Sequence, residues 1–167
     1  MDHDLLSTYL NDHLGGSTTG QELAGRLLEQ NRDTPYEPFL RRVTEEIKED
    51  REELLDIMRR LDVSESKVKV AGGWAAEKIS RLKANDRITG YSPLSRLLEL
   101  EGLSTGVQGK LSLWQVLGAC ADAEPALDKA ALARLEERAR SQLQGLEEHR
   151  IRAGREAFVD QAAPATG

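Results

Sequence analysis

Cysteines and long apolar runs are the scarcest features of this sequence, and both shortages limit where the protein is expected to work. Cys120 is the only cysteine among 167 residues, so no intramolecular disulfide can form and a reducing, intracellular compartment is expected. No window approaches the ~20 consecutive apolar residues of a membrane-spanning helix. Residues 1–4, Met-Asp-His-Asp, are acidic and do not resemble a signal peptide. We therefore predict a cytoplasmic protein without a membrane partner.

Basic charge and aromatic side chains are also in short supply. The formal net charge is −6, which argues against nucleic-acid binding because phosphate contacts need a basic surface. Aromatic residues make up 4% of the chain, whereas charged residues make up 31% and apolar residues 39%. That balance favours helices packed through aliphatic side chains over a β-rich domain. At 167 residues the chain is long enough to bury one core without disulfides.

Four long segments place apolar side chains every three or four residues, which is the spacing of one helix face. The predicted helices cover residues 4–30, 35–61, 93–121 and 125–158. The stripe of the third predicted helix, for example, consists of Leu100, Leu103, Val107, Leu111, Trp114 and Leu117. All four helices are assigned to one bundle domain, residues 1–160. Residues 161–167 are expected to be a disordered tail because they have little to bury.

Helix starts are marked by capping residues followed by proline. Thr34-Pro35-Tyr36-Glu37 is typical of a capping box that opens the second helix. Ser92-Pro93 predicts the start of the third helix in the same way. The last helix is predicted to begin between Asp122 and Pro125.

Small residues interrupt two of the helical patterns. Residues 15–20 of the first helix read Gly-Gly-Ser-Thr-Thr-Gly, and Gly106 and Gly109 lie within the third. An interior glycine costs about 1 kcal/mol against alanine, so a close approach of the two helices over these residues is the expected reason. A π-bulge or a break in the first helix would also explain the composition.

Residues 64–84 decide between two architectures. The segment has helical spacing and lies between the second and third long helices. As a core helix it would make an ordinary five-helix domain. As a connection it would run about 30 Å at ~1.5 Å per residue, nearly the length of the bundle, and the second and third helices would be parallel. Its length and its capping by Ser64 favour the connection.

With that connection, the helix order and lengths over residues 4–158 resemble the ferritin-like superfamily. The resemblance implies an all-α, up-down-down-up four-helix bundle with a helical crossover at about 64–84. Di-metal members of the superfamily carry a Glu on one helix of each pair and a Glu-x-x-His motif on the other. This chain departs from that pattern because none of its histidines, His3, His13 and His149, has a glutamate three residues before it. No cofactor is therefore expected.

Four polar, titratable side chains fall on or beside the apolar stripes, namely His13, Asp50, Glu101 and His149. Counting helical rise along the predicted bundle places Asp50 level with His13, and Glu101 level with His149. One interpretation is two buried acid–histidine pairs that satisfy each other. The other is a site for iron, manganese or zinc, with Glu101 and His149 as the best ligands and Asp50 and His13 behind them.

The favoured function is that of a non-enzymatic ferritin-like bundle with an interaction or stress-related role. Dimers formed through helix faces are common among ferritin-like bundles, so the resemblance implies a homo-oligomer, expected to be a dimer. The alternative is a divergent metal-binding protein with a Glu/His site inside the bundle, which elemental analysis after metal-supplemented expression would reveal. A third interpretation is a small organic ligand held in the interior, where the interior glycines leave room.

Overall fold

The computed structural model describes residues 2–66 and 90–159, and over these residues the chain has four helices and no strand. The helices are α1 (His3–Gln30), α2 (Glu37–Arg60), α3 (Pro93–Cys120) and α4 (Lys129–Phe158). The predicted all-α class is confirmed. Most of the predicted connection at 64–84 lies outside the described residues, and so does the predicted tail at 161–167.

Aliphatic stripes form the core, as the helical spacing predicts. Every stripe residue predicted for α3 is buried, and the α1 and α2 stripes meet it with Leu10, Leu27, Leu40, Val43 and Ile57. None of the four helices combines the length and the apolar character that crossing a membrane requires.

The α1 and α3 starts are capped by polar side chains. Asp2 accepts hydrogen bonds from the backbone N–H groups of Asp4 and Leu5, both at 3.1 Å. Ser92 accepts one from the N–H of Ser95 at 3.1 Å, and Pro93 is the first residue of α3. The predicted start of the third helix is therefore confirmed.

α2 begins at Glu37 rather than at residue 35, and the predicted capping box was wrong in register. Asp33 has a positive φ of 59°, and its backbone N–H donates to the Glu37 carboxylate at 2.7 Å. In a capping box that carboxylate would instead reach the N–H of Thr34. Because the Glu37 carboxylate accepts from the N–H of Asp33, it does not cap the N–H of Thr34, and the helix begins at Glu37.

α4 also begins later than predicted, at Lys129. Asp128 caps it by accepting hydrogen bonds from the N–H groups of Ala130 and Ala131 at 2.9 and 3.0 Å. The preceding residues form a turn in which the N–H of Leu127 donates to the carbonyl of Glu124, and Leu127 is buried. That turn satisfies the backbone groups that an earlier helix start would have used.

Helix contacts follow a simple pattern: α1 packs on α2, α3 packs on α4, and α1 also packs on α3. The end of α1 meets the beginning of α3, where Arg26 pairs with Glu99. The beginning of α2 meets the end of α4, where Phe39 stacks on His149 with ring centroids 4.1 Å apart.

A buried polar network joins the end of α1 to α3 and α4. Asn31 is fully buried, and its amide donates to the Tyr91 hydroxyl at 2.9 Å. That hydroxyl donates to the Glu99 carboxylate at 3.1 Å, and burial together with the Glu99 charge raises the pKa of Tyr91. Arg96 donates to the side-chain amide oxygen Oδ1 of Asn31 and pairs with Glu156 at 2.7 Å. The network therefore fixes three helix ends relative to one another.

Gly145 allows α4 to approach α2 closely. A Cβ added at Gly145 would overlap the Phe39 ring, whose Cζ and Cδ2 atoms would lie 3.1 and 3.2 Å away. The ring is buried and stacked on His149, so it has little room to move.

Replacing Gly145 with alanine is expected to lower the free energy of unfolding by about 1–2 kcal/mol, because overpacking outweighs the gain in helix propensity. Urea denaturation measures the change. Gly25→Ala is the matched control, since a Cβ at Gly25 would meet no heavy atom within 4 Å, and it should raise stability. In a Phe39→Leu background the Gly145→Ala penalty should disappear; a penalty that stays the same would show that the ring is not its cause.

Candidate functional site

A cavity of about 210 Å³ lies between α1, α2 and α3. Gly16 and Gly20 of α1 line it from one side, and Gly106 and Gly109 of α3 line it from the other. A Cβ added at any of these four positions would meet no heavy atom within 4 Å. The glycines therefore border open space instead of a tight helix contact.

This geometry decides between the explanations for the small residues. α1 runs as one α-helix through residues 15–20, without the break or π-bulge that the composition also allowed. The expected close packing of α1 on α3 over the glycines was wrong at these positions, because the two helices face each other across the cavity.

The cavity has a mainly apolar wall with polar residues at its side. The apolar part is formed by Ile47, Leu54, Leu103, Val107 and Leu113. The polar residues include His13 of α1, Asp50 and Arg51 of α2, and Lys110 of α3. Such a mixture of apolar surface and a few convergent polar groups is typical of small-molecule sites.

Asp50 is the centre of a buried ionic cluster beside the cavity. Its side chain is 2% exposed and pairs with Lys110 and with Arg138. Gln142 donates to Asp50 at 3.2 Å and to Glu46 at 3.0 Å, and accepts from Lys110 at 2.6 Å. Burial lowers the pKa of the Lys110 ammonium, and the Asp50 carboxylate opposes that shift. The cluster therefore holds the Asp50 carboxylate between two cations, Lys110 and Arg138.

Sequence reasoning singled out Asp50 but missed its cationic partners. Asp50 and Gln142 are polar residues in the mainly apolar stripes of α2 and α4, and pairing them would have pointed to this contact. Lys110 and Arg138 lie beside the stripes and reach inward with long side chains, which helical spacing alone does not reveal.

His13 shares the cavity wall with Asp50, consistent with the predicted common level. Its ring contacts Tyr9 edge to face, with centroids 4.6 Å apart. Desolvation by burial lowers the pKa of His13, which favours the neutral imidazole at pH 7. A neutral ring at this position adds a polar group to the wall without adding charge.

Two buried donors on residues that line the cavity have no hydrogen-bond acceptor among the described residues. Trp114 is 1% exposed, and its indole Nε1–H is unpaired there. The Nε–H of Arg51 is likewise buried and unpaired. An unsatisfied buried donor costs about 1–3 kcal/mol, so these two groups reduce the stability of the cavity wall.

The second predicted pair lies away from the cavity. Glu101 lies between α3 and α4, and His149 lies between α4 and α2. Glu101 is half-buried and pairs with Arg150 at 3.7 Å. His149 places Nδ1 2.8 Å from the Gly145 carbonyl oxygen and stacks on Phe39. Over residues 2–66 and 90–159, no three His, Cys, Asp or Glu side chains are grouped so as to hold a metal ion. The iron, manganese or zinc site and the dimer stay predictions.

Comparison with protein-family models, with curated proteins and with solved structures finds no match for this chain. Function must therefore follow from the geometry of the site. The cavity between α1, α2 and α3 combines space, an apolar wall and unpaired buried donors in one place, and it is the candidate site.

Proposed function

We propose that this protein is a non-enzymatic, ferritin-like helical bundle that binds a small organic molecule in the cavity between α1, α2 and α3. The observation that carries the proposal is the cavity itself. Four glycines on two facing helices border it, although each costs about 1 kcal/mol of helix stability against alanine. A bound ligand that occupies this space would explain why glycine is present at these four positions.

The cavity has the right size for a compact ligand. Its volume of about 210 Å³ exceeds the ~150 Å³ of an engineered apolar cavity that binds benzene. Gly16 and Gly106 at its border are exposed, which provides an entry from solvent between α1 and α3. A single aromatic ring with a short substituent fits these dimensions.

A binding role is favoured over catalysis by the state of the charged groups. Asp50 and Lys110 neutralise each other, and Gln142 and Arg138 hold Asp50 from further sides. A general base or a nucleophile needs a side chain that is free to reach the substrate. A locked pair instead gives a rigid polar edge against which a ligand can be oriented.

Helix contacts support the ferritin-like, up-down-down-up part of the proposal. The contact of Arg26 with Glu99 supports antiparallel packing of α1 on α3, and the contact of Phe39 with His149 supports antiparallel packing of α2 on α4. α2 and α3 would then be parallel. After α2, Ser64 and Ser66 contact Asn11, and Tyr91 contacts Asn31. Asn11 and Asn31 lie ~30 Å apart along α1, which matches the length predicted for a crossover.

The test of binding uses toluene and phenylacetate as probes and leucine in place of a cavity glycine. We expect saturable binding of at least one probe to the wild-type protein by calorimetry. Gly20→Leu should weaken that binding at least about tenfold because the new side chain occupies the cavity. Gly109→Leu, on the opposite wall, provides a second variant in case one of the two folds poorly.

Gly25→Leu is the matched control. It lies on the same helix as Gly20, has equally open surroundings and does not line the cavity, so it should bind the probes like the wild type. If neither probe binds the wild-type protein, or if the cavity variants and Gly25→Leu bind equally well, the cavity is not a binding site.

A further inference from the structure

We propose that the ligand of this cavity is a small carboxylate with a compact apolar body, its carboxylate received by the Arg51 guanidinium. This inference rests on the proposed binding function and adds the chemical class of the ligand. The same cavity without a preference for carboxylates would leave the binding function in place.

Arg51 supplies a cation whose charge is weakly matched. Its side chain is 24% exposed, and it pairs with Glu52 at 3.4 Å, a residue whose side chain is 67% exposed. Ion pairs at such exposed positions contribute about 0–1 kcal/mol, so this pair leaves most of the cation's interaction energy unused. Its buried Nε–H also lacks an acceptor among the residues described. A planar carboxylate matches the guanidinium geometry.

Trp114 of α3 also lines the cavity, but it is 1% exposed, so its indole N–H is out of reach of a ligand and Arg51 is the group that can receive an anion. A carboxylate accepts hydrogen bonds at two oxygens, so it can pair with two N–H groups of one guanidinium. A cationic ligand offers no acceptor to Arg51 and is repelled by its charge.

The remaining charges around the cavity do not oppose an anion strongly. Asp50 is compensated by Lys110 and Arg138. Asp12 lines the cavity at an exposed position, where solvent screens its charge. His13 favours its neutral form, because burial lowers its pKa. Arg51, the weakly paired cation, therefore has the largest influence on whether the cavity prefers an anionic or a cationic ligand.

The rest of the lining sets the apolar part of the ligand. Ile47, Leu54 and Leu103 present aliphatic surface, and the four glycines leave the space between them open. Burial of apolar surface contributes about 25 cal/mol per Å², so a compact ring or branched chain gains more here than a polar body. A carboxylate at one end and an apolar body at the other match the two parts of the wall.

Four probes of similar size test the ligand class in calorimetric titrations with the full chain. Phenylacetate carries the carboxylate, phenylacetamide is its neutral isostere, 2-phenylethylamine carries the opposite charge, and toluene has no polar group. We expect phenylacetate to bind at least about tenfold more tightly than phenylacetamide, with the amine weakest, because a charge-assisted hydrogen bond is roughly twice as strong as a neutral one.

Two variants test the receiving group. Arg51→Met should remove the preference for phenylacetate over phenylacetamide. Arg60→Met, at an exposed position of the same helix, should keep the preference and leave toluene binding unchanged.

Toluene or phenylacetamide binding as tightly as phenylacetate, or a preference that survives Arg51→Met, would overturn the carboxylate inference while the binding function stands. Tighter binding of the amine would overturn it as well. Absence of binding by all four probes would overturn the binding function together with the inference.

Discussion

Replacing Asp50 with alanine should lower the free energy of unfolding by about 3 kcal/mol, because it leaves buried cationic partners without their anion. Asp50 is 2% exposed, whereas the side chains of Lys110 and Arg138 are 16% and 27% exposed. Those partners keep partial access to water, which places the expected loss at the lower end of the range for a broken buried ion pair. Denaturation with urea, monitored by helical circular dichroism, measures it.

The control for Asp50→Ala removes a cation as well. Asp50→Ala combined with Lys110→Met should recover part of the loss, because the ammonium is no longer buried without its partner. A loss below about 1 kcal/mol for the single variant, the size of a surface pair, would contradict the burial of this cluster. Equal losses for the single and double variants would show that Lys110 does not depend on Asp50.

Replacing Glu99 with alanine is the second change with a large expected effect, a loss of about 2–3 kcal/mol. The Glu99 side chain is fully buried, pairs with Arg26 and accepts a hydrogen bond from the Tyr91 hydroxyl. Its removal disturbs the contact between the end of α1 and the beginning of α3. The same urea denaturation measures the loss.

Glu101 provides the matched control two residues further along α3. Its side chain is 35% exposed and pairs with Arg150 at 3.7 Å. Glu101→Ala should cost no more than about 1 kcal/mol, as expected for a partly solvated pair. If the two glutamate variants were equally destabilised, the difference in burial between Glu99 and Glu101 would not govern stability at this contact.

Helical spacing predicted most of the core but not the rotation of each helix in detail. The α3 stripe from Leu100 to Leu117 is buried as predicted, because a period of three to four residues defines a face regardless of its neighbours. The sequence pattern singled out Glu101 and not Glu99, although both lie beside that stripe. Which of them is buried depends on Arg26 and Tyr91, which come from distant parts of the chain.

The cavity shows a second limit of sequence reasoning. Glycine composition predicted a close approach of α1 and α3, but Gly16, Ser17 and Gly20 of α1 border the cavity instead. Whether two helices close over such residues depends on how far apart bulky side chains elsewhere hold them. Trp114 and Leu113 lie fully buried at the same interface, and their size is compatible with a gap over the glycines.

The most direct test of ligand binding in the cavity is a titration of ¹⁵N-labelled protein with toluene and, separately, with phenylacetate, observed at the indole N–H resonance of Trp114. The chain contains two tryptophans, so Trp114→Phe assigns the resonance. Binding in the cavity predicts a saturable shift of this resonance with at least one probe in the wild-type protein and in Gly25→Leu, and a loss of that shift in Gly20→Leu. A Trp114 resonance that stays in place with both probes, up to the solubility limit of toluene, would contradict the proposed site.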